Sequence, residues 1–102
     1  TYRTASFEIL LSLAELEQLI YVAHYDGDIQ EGSPRKAWVQ VGLVNDLSVL
    51  TTPAIQAKTA ELKTVWSDNW QTITTDNQSV NQVIEAIDSV RAEIKVELNN
   101  LE

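Results

Sequence analysis

Two dipeptides, Ser33-Pro34 and Thr52-Pro53, constrain this chain more than anything else in it. A hydroxyl residue followed by proline suits a helix start. The side-chain oxygen accepts from an orphan N–H of the first turn, and proline at the first helical position has no N–H to leave unpaired. Upstream, Asp26-Gly27 offers a stop, with Gly27 suited to the left-handed cap. These marks predict a first helix over about residues 6–25, a second over about 34–50 and a third from Pro53 toward Ile73. In the first, Phe7, Leu10, Leu11 and Ala14 follow one face, while Ile9, Leu13, Leu16, Ile20 and Ala23 follow a neighbouring one.

The second helix carries Trp38, Val39, Val41, Leu43, Val44, Leu47, Val49 and Leu50 on nearly every side, so it is expected to be the most buried element. Gly42 in its interior costs about 1 kcal/mol relative to alanine, which suggests close approach of another helix. The last helix, over about 79–101, has the clearest pattern: Val80, Val83, Ile87, Val90, Ile94 and Leu101, widened by Ile84 and Leu98. Residues 5–12 and 69–75 also read as short strands, the first by alternation and the second by its strand-favouring residues. An isolated two-stranded ribbon is marginal, so the expectation is all-α, one four-helix bundle-like domain spanning 1–102, with an α+β form carrying that ribbon as the alternative.

With fifteen Asp/Glu against seven Lys/Arg, the net charge is −8. A chain of that sign, whose longest basic run is Arg35-Lys36, is not expected to bind a nucleic-acid backbone. No apolar run approaches the roughly 20 residues of a membrane span, and the N-terminus lacks a signal-peptide layout. Cysteine is absent, which removes disulfides, thiolate metal sites and thiol nucleophiles. A cytoplasmic location is expected.

The stretch HYDGDIQEGSPRKAW, residues 24–38, holds the chain's only histidine and two of its three glycines. Asp26, Asp28 and Gln30 match the start of an EF-hand loop. Glu31 stands where that loop needs glycine, however, and Ala37 where it needs the bidentate acid. The expectation is therefore a turn without a metal, with His24 at the C-terminal dipole of the first helix. The helix–Asp-Gly–helix stretch around YVAHYDGDI resembles tellurite-resistance TerB-like helical domains. The likeness is confined to turn residues, and no activity, cofactor or site residue follows from it.

A second constellation is Glu85 and Asp88, with Glu93 and Glu97 beyond. Acid pairs at helical spacing hold Mg²⁺ in all-α nucleotide pyrophosphohydrolases of the MazG type. Those also need a Glu-x-x-Glu pair on an earlier helix, where this chain has only Glu61 and Asp68, seven apart. A metal-dependent hydrolase using Glu85, Asp88 and Glu61 is the alternative; a solvated face with Asp88–Arg91 support is the preferred reading. A di-iron bundle needs more than one histidine, no Gly-x-Ser-x-Gly elbow is present, and three separated glycines cannot build a phosphate loop. Catalysis, cofactors and metals are not expected.

What remains is association. Tyr21 and Tyr25 are four apart, as are Trp66 and Trp70, and such residues dominate binding hot spots. Core packing is the plainer reading for Trp38 and Trp66. The broad stripe of the last helix suggests more apolar surface than one chain covers. The expected function is a non-catalytic interaction or oligomerisation module, a homodimer or the binder of a protein partner. The expected contact residues are Trp66, Trp70, Tyr25, Val83, Ile87, Val90 and Ile94.

Overall fold

The computed structural model describes residues 2–26 and 34–100. These form α1 (Tyr2–Tyr21, continued by a π-helical turn, Val22–Asp26), α2 (Pro34–Ser48), α3 (Pro53–Asn69, tightening into a 3₁₀ turn, Trp70–Thr72) and α4 (Asn77–Asn100). The protein is all-α. Among the described residues there is no strand: residues 5–12 lie inside α1, and 69–75 hold the end of α3, the 3₁₀ turn and a tight turn. Burial decided the first case, because Ala5, Ile9 and Leu13 recur on one helical face that the other helices cover.

The punctuation acts largely as the sequence suggests. Thr52 caps α3, its side chain accepting from the Ile55 N–H at 3.3 Å with Pro53 at the first helical position. The second proline mark also coincides with a start, α2 beginning at Pro34. Gly27, Asp28, Gln30, Glu31 and Ser33 lie outside the described residues. α4 starts earlier than its apolar pattern because Asp76 supplies the cap, its carboxylate accepting from the Gln78 N–H at 2.9 Å. The Ser12/Glu15 pair, which resembles a capping box, sits mid-helix; the Ser12 hydroxyl instead donates to Gln40 Oε1 of α2.

Consecutive helices run antiparallel, and α4 returns beside α1. Asn45 of α2 donates to the Thr59 carbonyl of α3, while Trp38 near the start of α2 meets Trp66 and Trp70 at the end of α3. Between α1 and α4, His24 reaches Asn77 and Glu17 reaches Arg91. The core is one cluster: Ile9, Leu13, Leu16 and Ile20 from α1, Val41 and Val44 from α2, Ile55, Leu62 and Trp66 from α3, and Val80, Val83, Ile87, Val90 and Ile94 from α4. Each α4 seam residue of that set is at most 2% exposed.

Two expectations fail on α2. Far from being the most buried element, it leaves Val39 61% and Leu43 43% exposed, with Val49 and Leu50 beyond its end also in solvent. One helix can turn only one face to a core, so an all-round apolar helix in a four-helix bundle must leave some of that surface outside. Gly42 does not admit a close neighbour either, since a methyl group built on it would meet nothing within 4 Å.

Candidate functional site

The residues expected at an interface divide sharply. Val83, Ile87, Val90 and Ile94 are at 0% exposure, and Trp66 is at 1%. Helices of the same chain cover the α4 seam, so it presents no surface to a second molecule. Trp70 is half-buried, its ring 6.2 Å from that of Trp38, which in turn stands nearly perpendicular to Trp66 at 6.0 Å. The three indoles form one cluster closing the α2–α3 end of the core. Within it the Trp66 Nε1–H is buried without a hydrogen-bond acceptor. Of the expected set only Tyr25, 68% exposed, lies open to solvent.

Tyr25 belongs to a face the sequence reading did not single out as a binding surface. On α1, Phe7 is 51% exposed, Leu11 66%, Tyr21 38%, and Ala14 and Gln18 are also exposed. Phe7, Leu11, Ala14, Gln18, Tyr21 and Tyr25 follow alternating steps of four and three, the spacing of a coiled-coil seam. They lie nearly opposite the buried stripe of Ile9, Leu13, Leu16, Ile20 and Ala23, which has the same steps. Both stripes are visible in the sequence as apolar faces, but the structure sets them nearly opposite where the sequence suggests neighbours. Only packing reveals which one the core takes.

Relief along this face is shallow. Ala14, Glu17, Gln18, Tyr21, Val22 and Tyr25 line an open depression of about 400 Å³. The rings of Tyr21 and Tyr25 stand 5.8 Å apart, and His24 meets Tyr25 edge-on at 4.6 Å. Beside it, a groove of about 470 Å³ runs between α1 and α2, walled by Leu19, Val22 and Val39, with Glu15, Arg35 and Lys36 on its rim. Phe7 and Leu11 are exposed one to two turns away.

The end of this face is anchored. His24 does not merely sit at the dipole of its own helix. Its Nδ1 lies 2.8 Å from the Ile73 carbonyl and its Nε2 2.6 Å from Asn77 Oδ1, tying the π turn to the corner between α3 and α4. With carbonyl oxygens at both nitrogens, the doubly protonated ring donates twice, while the neutral ring needs Asn77 to turn its amide. On the opposite flank Arg91 donates to Glu17 at 2.8 Å and to Asp88 at 2.9 Å. Tyr21 lies beside this group. Desolvation first, then the carboxylate of Glu17, the ring of Tyr25 and the carboxylate of Asp88, raise its phenol above the ordinary value, while Arg91 acts in the opposite sense. The tyrosine is therefore neutral at physiological pH, and the stripe carries no ionised group at that position.

The acidic constellation comes apart. Glu61 and Glu85 border a shared depression between α3 and α4, whereas Asp88 is engaged by Arg91, which also binds Glu17 of α1. Glu85 and Asp88 thus have different neighbours, although they are only three residues apart on α4. Among the described residues no group of three or more His, Cys, Asp or Glu side chains is arranged to hold a metal ion. The EF-hand-like positions Asp28, Gln30 and Glu31 lie outside the described residues. Among those described, no helix is long and apolar enough to cross a membrane. No protein-family model, curated protein or solved structure matches this chain.

Proposed function

We propose that this chain is a helical interaction module whose docking surface is the outer face of α1 and the adjoining groove against α2. A single observation carries the reading: a seam-like apolar stripe over 7–25 is exposed on the side of α1 remote from the core. Exposed apolar residues scattered singly mean little, but a contiguous patch marks an interaction site. This one is contiguous over about 27 Å, at 1.5 Å of rise per residue. It also combines aromatic residues with a depression and a bordering groove, the makings of a hot spot. Binding would need no catalytic group and no metal, in keeping with the dispersal of the acidic residues.

The test is occupancy of the face by a neutral apolar dye. Nile red added to dilute protein should fluoresce strongly with the wild type and several-fold less with Phe7→Ser/Leu11→Ser, while circular dichroism stays unchanged. A control pair at the far end of α2, Val49→Ser/Leu50→Ser, should leave the signal in place. If the α1 variant and the wild type bind dye equally, the face is not the docking surface.

A further inference from the structure

We propose that a small cavity at the end of the bundle where α1 begins and α4 ends binds a short-chain primary ammonium ion. Its volume is about 110 Å³, and it is more enclosed than the depressions beside the outer face of α1. Ser6 of α1, Thr51 and Thr52 of the turn before α3, and Glu97 of the last turn of α4 supply polar lining, while Ile55 and Leu98 supply apolar lining. Ser6 is 2% exposed and Thr51 4%, so both polar side chains sit inside the protein and not on its surface. Polar groups in such a place are costly unless they find partners.

The hydrogen-bonding inventory of the lining selects the ligand chemistry. The Thr51 hydroxyl donates its proton to the Ser48 carbonyl at 2.6 Å, so it can offer the cavity only lone pairs. The Glu97 carboxylate also only accepts, and the Ser6 hydroxyl accepts as readily as it donates. Thr52 already accepts from the Ile55 N–H at 3.3 Å, which leaves its hydroxyl proton for another acceptor. An ammonium head has three donors and no acceptor, the complement of Glu97, Thr51 and Ser6. A carboxylate or phosphate would bring further acceptors and a second negative charge to Glu97. The alkyl tail of the ammonium would lie against Ile55 and Leu98.

Charge acts in the same sense. At this end of the bundle α2 and α4 finish while α1 and α3 start, so the helix dipoles oppose one another and Glu97 sets the sign. The net charge of −8 draws cations toward the chain at longer range. Space limits the tail. At about 30 Å³ for each water-sized unit, 110 Å³ admits roughly four non-hydrogen atoms. Propylammonium has that size, and n-propanol is nearly its uncharged counterpart.

The test is an amide-resolved NMR titration with propylammonium chloride, ionic strength being held constant with sodium chloride. Saturable shifts are expected in the millimolar range at Ser6, Thr51, Ile55 and Leu98, and not at Tyr21 or Tyr25. Glu97→Gln, with unchanged circular dichroism, should weaken binding by at least about tenfold, and n-propanol should bind the wild type weaker by a similar factor. Glu85→Gln, which borders a different depression, should bind as the wild type does. A wild type without saturable shifts overturns the proposal, and so does equal binding by Glu97→Gln or of n-propanol. Equal shifts from sodium chloride alone overturn the preference for an ammonium head. The cavity is separate from the outer face of α1, so these results and those of the dye experiment are independent.

Discussion

The α4 stripe and the outer stripe of α1 share one grammar and have different destinations. Val80, Val83, Ile87, Val90 and Ile94 step by three and four, as do Phe7, Leu11, Ala14, Gln18, Tyr21 and Tyr25. The first is closed over by α1 and α3 and forms much of the core; the second stands in solvent. The difference lies in what else each helix carries. α4 has one principal apolar face, backed by Gln82, Glu85, Asp88, Arg91 and Lys95, so it can be oriented in only one way. α1 has two, and a bundle accepts one. The excluded face is then surplus by construction, which makes a helix with two apolar stripes a better guide to an interface than a helix with one broad stripe.

The sharpest way to break that comparison is to put a glutamate on each stripe. Ile87→Glu buries a carboxylate at a position with no exposure. The lost packing alone is about 2–5 kcal/mol, and the desolvated charge adds to it, against a whole-domain stability of about 5–15 kcal/mol. The expected outcome in thermal and urea melts is a chain largely unfolded. Leu11→Glu on the exposed stripe should shift monomer stability by no more than about 0.5 kcal/mol, its effect appearing in association instead. If both variants retain a cooperative melt, or both lose it, the stripes are not distinguished as described.

Legibility followed the same division. Helix number and type could be read from the sequence because Thr52-Pro53 and the α4 periodicity are local signals, and locally satisfied ones. The interface residues could not. Periodicity reports that a face is apolar but is silent on which element covers it, so Val83, Ile87, Val90 and Ile94 read as surplus when they are core. Gly42 misled for a related reason: glycine in a helix signals either close approach or mere tolerance, and only the empty space around it decides. Tyr25 alone of the expected set is open to solvent, because at the end of α1 it has few neighbours to bury it.

A smaller effect concerns the anchoring of the α1 face. His24→Ala removes both contacts to the α3–α4 corner and leaves the Ile73 carbonyl without that partner, a loss of about 1–3 kcal/mol. The melt should remain cooperative and shift downward. Hydrogen exchange should show faster opening of the last turns of α1 than of its middle. Uniform acceleration along α1 would mean that the histidine supports the whole bundle and not that end of the face.

Gly42→Ala acts in the opposite direction. With nothing within 4 Å of the added methyl, the gain is the ordinary helical difference between glycine and alanine, about 0.5–1 kcal/mol. Because Gly42 lies outside the α1 stripe, the melting temperature should rise while the sedimentation behaviour stays that of the wild type. A change in association would place Gly42 within the docking surface and extend that surface across α2.

The smallest effect is on Tyr21, and it separates the chemistry of the exposed stripe from its shape. The folded state raises this phenol above its ordinary value of 10.0, chiefly by desolvation and then by Glu17, Tyr25 and Asp88. A raised value means that the folded chain holds the proton after the unfolded chain has released it. The stabilisation is therefore complete below pH 10 and is lost as pH rises from there through the folded value. Tyr21 is 38% exposed, so solvent screens much of this and the slope should be shallow. Tyr21→Phe keeps the exposed ring on the α1 stripe while removing the ionisation. Association near neutral pH should be unchanged, and the alkaline limb of the stability profile should flatten. The same substitution thus asks two independent questions. Association or dye binding at this face weakened at neutral pH would show that the hydroxyl itself contributes to the contact, contrary to an apolar docking surface. An unchanged alkaline limb would show that Tyr21 ionises alike in folded and unfolded chains, and that the flank formed by Glu17, Asp88 and Arg91 exerts no net field on the stripe.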